Sequence, residues 1–126
     1  MTKKQVATKQ APGAIGPYSQ AISAGNWVYT SGQLGLDPEN GTLAEGVQEQ
    51  ARRALQNVQA ILEEAGASLD HVVKTTVYLK DMNDFAAVNE IYSSFFTEPY
   101  PARSAVEVAR LPKDGLVEIE AVARKK

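Results

Sequence analysis

The chain has 126 residues, 44% hydrophobic and 22% charged, with 13 Lys and Arg against 15 Asp and Glu for a formal charge of −2. That length suits a single domain, residues 1–126, with one continuous core, and the composition matches neither a disordered tail nor a membrane protein. The absence of cysteine excludes disulfides, thiolate metal sites and a cysteine nucleophile, and a sequence pI near 5.4 gives no net attraction to a phosphate backbone.

No window approaches the roughly 18 uninterrupted apolar residues of a membrane span. The polar start MTKKQVATKQ lacks the apolar segment of a secretory signal, so a cytoplasmic location is expected. Gln5–Ala7 and Gln20–Ala24 read as short strands, and Gly25-Asn26 supplies a two-residue turn into a strand over Trp27–Ser31. Between Gly32 and Gly46, the Asp-Pro and Asn-Gly pairs predict a loop crossing to the first helix.

That helix is predicted from Val47, Ala51, Leu55, Val58, Ile61, Leu62 and Ala65, which fall on one face, with Gly66 as its stop. The β-branched run His71–Leu79 predicts a strand with Val73, Thr75, Val77 and Leu79 on one face and Val72, Lys74, Thr76 and Tyr78 on the other. Asp81 is the expected N-cap of a second helix whose stripe is Phe85, Val88, Tyr92 and Phe95 and which ends before Pro99. Two further strands, Ala102–Ala109 and Leu116–Ala123, flank the turn-rich Leu111–Gly115. In the last strand Val117, Ile119, Ala121 and Ala123 share one face and Glu118 and Glu120 the other. Two helices cannot cover both faces of such a sheet, so the fold class is α+β and self-association is the economical cover for the second face.

Chemistry is expected at a few positions. Arg103, at the entry to a strand, carries the planar fork that grips a carboxylate with two charge-assisted hydrogen bonds; its bland alternative is a pairing with a surface acid. Glu118, on what reads as the neighbouring strand and away from the helices, is placed to take a proton from a water attacking a C=N bond, or else is simply solvated. Tyr18 and Ser31 offer hydroxyl donors beside the hairpin and Gly32 a close backbone approach, although turn chemistry explains all three; Asn89 either points into a cleft or caps the apolar stripe. The lone His71 and Trp27 read as structural, and neither a metal-ligand cluster nor a nucleotide-binding glycine motif is present.

Four segments carry a resemblance: GPYSQAI at Gly16–Ile22, TSGQLGL at Thr30–Leu36, VYLKDMNDFAAVNEIY at Val77–Tyr92 and PARSAVEVARLPKDGLVEIEA at Pro101–Ala121. Over about Val6 to Ala123 the chain resembles the RidA, or YjgF, family of reactive-intermediate deaminases. The resemblance implies a chorismate-mutase-like mixed sheet with two helices on one face, and a homotrimer with sheets inward and a ligand cleft at each subunit junction. It also implies hydrolysis of small 2-imino acids, 2-iminobutanoate or 2-iminopropanoate, to 2-oxo acids and ammonia, without metal or other cofactor. It assigns Arg103 to the substrate carboxylate and Glu118 to the attacking water, with Tyr18 and Asn89 shaping the pocket and Ser31 and Gly32 close to the ligand. Many relatives carry cysteine where this chain has Ala105, whose backbone N–H is still available to a ligand. A non-catalytic 2-oxo or 2-imino acid sensor built on the same cleft is the chief alternative, and a ribonuclease or translation inhibitor ranks below it because the chain lacks a basic, aromatic-lined groove.

Overall fold

The alternating segment Val117–Arg124 becomes the central strand of the sheet, its odd-numbered residues from Val117 to Ala123 buried and Glu118 and Glu120 half-buried on the other face. The protein is described here by a computed structural model covering residues 2–126. In chain order its elements are β1 (Lys3–Val6), β2 (Ala21–Ala24), β3 (Trp27–Thr30), β4 (Gln33–Leu34), α1 (Gly46–Glu64), β5 (Val72–Leu79), α2 (Phe85–Ser93), β6 (Ala102–Glu107) and β7 (Val117–Arg124). The strands form one sheet in the order β1-β2-β3-β7-β5-β6, with β4 also pairing β7. Only β5 and β6 run parallel, as expected of two strands joined by a crossover helix, here α2. Both helices lie on one face of this mixed sheet, as the sequence pattern predicts, and Leu55, Val58, Ile61 and Leu62 of α1 meet Val28, Val77, Leu79, Val117 and Ile119 in a core from which water is excluded. No helix among the described residues is long and apolar enough to cross a membrane.

Helix α1 stops as predicted. Gly66 takes φ +88°, Ala67 N–H reaches Leu62 O at 2.9 Å and Gly66 N–H reaches Glu63 O at 3.2 Å, the paired bonds of a Schellman ending. Elsewhere the predicted elements shift. Strand β1 begins two residues before the predicted Gln5, and the predicted loop between Gly32 and Gly46 contains β4 and a bridge between Leu36 and Leu43. Asp81 caps a 3-10 turn, Met82–Asp84, by accepting from Asn83 N–H at 2.9 Å, and α2 follows it. Phe95 lies beyond the end of α2 and is half-buried, while its neighbour Phe96 is buried against Tyr92, ring centroids 4.6 Å apart.

Two bulges decide which side chains face where. Val72 and Lys74 of β5 oppose the adjacent residues Ala123 and Val122, so Val73 is an inserted residue. The insertion buries Val72 and leaves Val73 44% exposed, reversing the predicted facing of both while Thr75, Val77 and Leu79 point inward as expected. The second bulge lies between β3 and β4: Tyr29 opposes Val122 and Gln33 opposes Ile119, four steps against three. The Ala121 N–H exposed by this detour donates to Thr30 Oγ1 at 3.0 Å.

Polar side chains of α1 hold the detour in place. Asn57, 1% exposed, donates to Leu34 O at 3.2 Å and Leu36 O at 3.0 Å, while Gln50 donates to Ala44 O and accepts from Leu116 N–H. A Cβ on Gly35 would stand 2.5 Å from Gln50 Cα, so only glycine lets this segment lie against the helix backbone. Leucine copies the branching of Asn57 with bulkier methyl groups and leaves two carbonyls without their donor. Urea denaturation of Asn57→Leu is expected to show a loss of about 2 kcal/mol.

Candidate functional site

All but one of the predicted site residues fall into two separate clefts. The larger, of 760 Å³, is walled by the segment Pro12–Ile15, Tyr18, Ser31, Gly32, Leu34, the loop around Pro38, Lys113 and Glu118. The smaller, of 440 Å³, is formed by Asn89, Tyr92, Ser93, Tyr100, Pro101 and Arg103. Ala105 lines neither; its side chain packs against the core.

The separation follows from strand register. Thr75 of β5 pairs with Arg103 of β6 and with Ala121 of β7, which places Arg103 on the helix-covered face, where it reaches α2. Tyr78 pairs with Glu118, which belongs to the open face. The two strands are also not adjacent, as the sequence reading had them, because β5 runs between β6 and β7. One copy of the chain therefore presents its candidate carboxylate anchor and its candidate base on opposite sides of the sheet.

In the larger cleft, the bulge lets Gly32 sit directly on Glu118. A Cβ at Gly32 would lie 2.8 Å from Glu118 Cδ and 3.0 Å from its Oε2, so the space that glycine leaves is filled by the carboxyl, where the sequence suggested a ligand. Burial pushes the Glu118 carboxyl above its usual range, and the neighbouring charge of Glu120 adds to the effect. The phenol of Tyr78, on the same face, is raised by burial and then by Glu120 and Glu118. Ser31 does not offer a hydroxyl proton to a ligand: its Oγ donates to Ser19 O at 2.6 Å, and its N–H to Gln20 O at 2.8 Å. These bonds, with the buried Gln20 amide holding Thr8 O, Ala11 O and Pro12 O, fix the strand of chain that carries Tyr18, itself 51% exposed at the cleft. On the opposite wall, Asp37 accepts from Glu39 and Asn40 N–H and pairs with Arg53 at 3.5 Å; the Glu39 bond foremost holds its carboxyl below the usual range.

In the smaller cleft, Arg103 Nη1 donates to Asn89 Oδ1 at 2.6 Å, so Asn89 points into the cleft. The guanidinium carbon lies 4.8 Å from the Tyr92 ring centroid and 5.2 Å from that of Phe85. Among the described residues Arg103 has no carboxylate within salt-bridge distance, and Glu118 has no cation. Each is a charge without its counter-charge, and a guanidinium with most of its N–H donors free is a receptor for an anion. Phe85, Tyr92 and Tyr100 were not singled out from the sequence as site residues; the stripe on α2 signalled two of them, but only as core. His71 Nδ1 lies 2.7 Å from Ser68 Oγ within a 3-10 turn, away from both clefts, in the structural place expected of it.

Two outcomes test this geometry. Gly32→Ala meets only the flexible end of a glutamate, so it should fold with a melting temperature close to wild type while displacing the carboxyl, a shift detectable in the Glu118 side-chain NMR titration. Because the folded state raises the Glu118 pKa, its carboxyl favours folding while protonated and opposes it as pH rises through the raised value. Glu118→Gln should therefore melt above wild type at about pH 8, with the difference vanishing near about pH 4.

Comparison with known proteins places this architecture. Residues 8–125 match the family model described as Endoribonuclease L-PSP. A protein of Salmonella typhimurium named 2-iminobutanoate/2-iminopropanoate deaminase is 57% identical over 123 residues, covering 95% of this chain and 96% of its own. The crystal structure of a putative endoribonuclease from Thermotoga maritima superposes with a TM-score of 0.96 at 50% identity, covering 99% of both chains. That of Escherichia coli TdcF with bound serine gives 0.93 at 50% identity, covering 98% of this chain and 99% of its own. Full-length identity at this level, together with a near-superposable fold, makes the chain a member of the RidA, or YjgF and RutC, family.

Proposed function

We propose that the protein is an imine deaminase that hydrolyses small 2-imino acids, 2-iminobutanoate and 2-iminopropanoate, to 2-oxo acids and ammonia without a cofactor, in a cleft shared between copies of the chain arranged as a homotrimer. The observation that carries this reading is the pair of unpartnered charges, Arg103 and Glu118, on opposite faces of one sheet. A second copy laid on the open face can bring its Arg103 cleft to the first copy's Glu118 cleft, and that face presents Tyr29 and Val106, 49% and 42% exposed, as apolar surface for such a contact.

In this cleft Arg103 holds the substrate carboxylate, which fixes the 2-carbon beside Glu118. A water hydrogen-bonded to Glu118 adds to that carbon and yields its proton to the carboxylate, while the C=N electron pair moves to nitrogen. Glu118 returns that proton to nitrogen, giving the neutral amino alcohol; the hydroxyl proton then passes through the Glu118 carboxylate to nitrogen as the C–N bond breaks, the oxygen electron pair closes the 2-oxo group, and ammonia leaves. Burial first, and the charge of Glu120 second, raise the Glu118 pKa and so make it a stronger base than an exposed carboxylate, which suits it to receive and return a proton. The homologue named as a deaminase supports this reading, as does the serine held by TdcF, a small amino acid with the carboxylate such a cleft would grip. The Endoribonuclease name of the family is the second reading; against it, the larger cleft sets Glu118, Asp37 and Glu39 beside one cation, Lys113, a poor surface for a polyanion.

The decay of 2-iminopropanoate generated in situ should be accelerated by the protein with matching pyruvate release. Arg103→Ala is expected to lower kcat/KM about 100-fold and Glu118→Gln by about 100-fold or more. Binding of 2-oxo acids with no acceleration would identify a sensor instead. Mixing the two inactive variants and allowing subunits to exchange at random should restore about a quarter of wild-type activity, because each shared cleft draws both groups independently; a site within one chain would restore none.

A further inference from the structure

The grip on the substrate carboxylate in the proposed reaction depends on how rigidly Arg103 is held, and three residues without an assigned role surround it. We propose that Tyr92, locked by Thr75 and opposed by Phe85, is a positioning residue that presets the Arg103 fork for a carboxylate, an inference that rests on the role given to Arg103 above.

Thr75 is the starting point. It is 1% exposed on the inward face of β5, in line with Val77 and Leu79, where valine would fill the same volume without burying a hydroxyl. The hydroxyl has one partner, Tyr92 Oη at 2.7 Å, and Tyr92 is also buried. Two buried polar atoms thus satisfy each other across the interface between sheet and helix, and the bond anchors the far end of the Tyr92 ring to β5. Thr75 is also the registered β5 neighbour of Arg103. The strand that carries the arginine and the strand that anchors the ring are therefore tied by the same backbone ladder.

The consequence is geometric. Arg103 leaves β6 and passes between Tyr92 and Phe85 at 4.8 and 5.2 Å, with Asn89 holding Nη1. Aromatic faces attract the cation without using its N–H donors, so the fork is fixed yet remains free to bind. A carboxylate on the protein would fix it equally well and would abolish its affinity for an anion. Lysine, a point charge on a flexible stem, has no plane for this slot to hold, which explains why arginine is needed here beyond its charge.

The test compares binding of 2-oxobutanoate and its neutral amide, 2-oxobutanamide, by calorimetry, since their affinity ratio reads the carboxylate grip alone and needs no turnover. Tyr92→Leu should lower that ratio about tenfold, the acid losing far more affinity than the amide. Thr75→Val and Tyr92→Phe, which keep the packing, should lower it about threefold. In an Arg103→Ala background Tyr92→Leu should have no further effect on the ratio. Equal weakening of acid and amide, an effect that persists without Arg103, or ratios unchanged in Thr75→Val and Tyr92→Phe, would overturn the proposal by showing Tyr92 to be packing only. A wild-type protein that does not distinguish acid from amide would overturn the carboxylate role of Arg103 and this inference with it, while good discrimination without imine hydrolysis would remove the enzymatic reading alone.

Discussion

Successive residues of a β-strand point to opposite faces, and most of what is distinctive about this protein descends from that constraint acting on β5, β6 and β7. In β7, Val117, Ile119, Ala121 and Ala123 build the core beneath α1, which forces Glu118 and Glu120 onto the open face. In β6, pairing with Thr75 turns Arg103 toward the helices. The hydrophobic core and the candidate chemistry are thus two faces of one register. A slip of one residue in β7 would turn Glu118 and Glu120 into the core, and one in β6 would turn Arg103 away from α2.

The departures from regular pairing are concentrated where the clefts form. The detour between β3 and β4 removes a stretch of backbone from the edge of β7 and lets Gly32 settle over the Glu118 carboxyl. Such an irregularity exposes backbone donors and carbonyls, and each is met: Ala121 N–H by Thr30, Leu34 O and Leu36 O by Asn57, Ser19 O by Ser31. No buried side-chain nitrogen or oxygen among the described residues lacks a partner. The polar residues on the inner side of α1 are therefore explained by the shape of the cleft wall that they support.

Against that background of satisfied groups, the charges at Arg103 and Glu118 are unbalanced. Ion pairs such as Arg53 with Asp37 or Arg110 with Asp114 show that opposite charges find each other where the fold allows it. Arg103 is instead held by aromatic rings and a neutral amide, and Glu118 by burial beside another acid. The first keeps a cation ready for an anionic partner and the second disposes a carboxylate to take up a proton, which ties the packing of α2 on the sheet to the recognition of a small anionic substrate.

The amino-acid sequence by itself determined the elements with strong local signals. Helix α1 and its glycine stop, the hairpin of β2 and β3, the alternating β7, and the α+β class all rest on periodicity and turn chemistry confined to a few neighbouring residues. Arg103, Glu118, Tyr18, Gly32 and Asn89, singled out through the motifs shared with the family, line the two clefts. Tertiary structure alone decided the facing of Val72 and Val73, the position of β4, and the use of the Ser31 hydroxyl as a tie, because bulges and buried polar partners depend on strands distant in the chain. It also decided that Arg103 and Glu118 lie on opposite faces with β5 between them. Strand order is set by which surfaces pack together, and no periodicity within a strand records which strand will lie beside it.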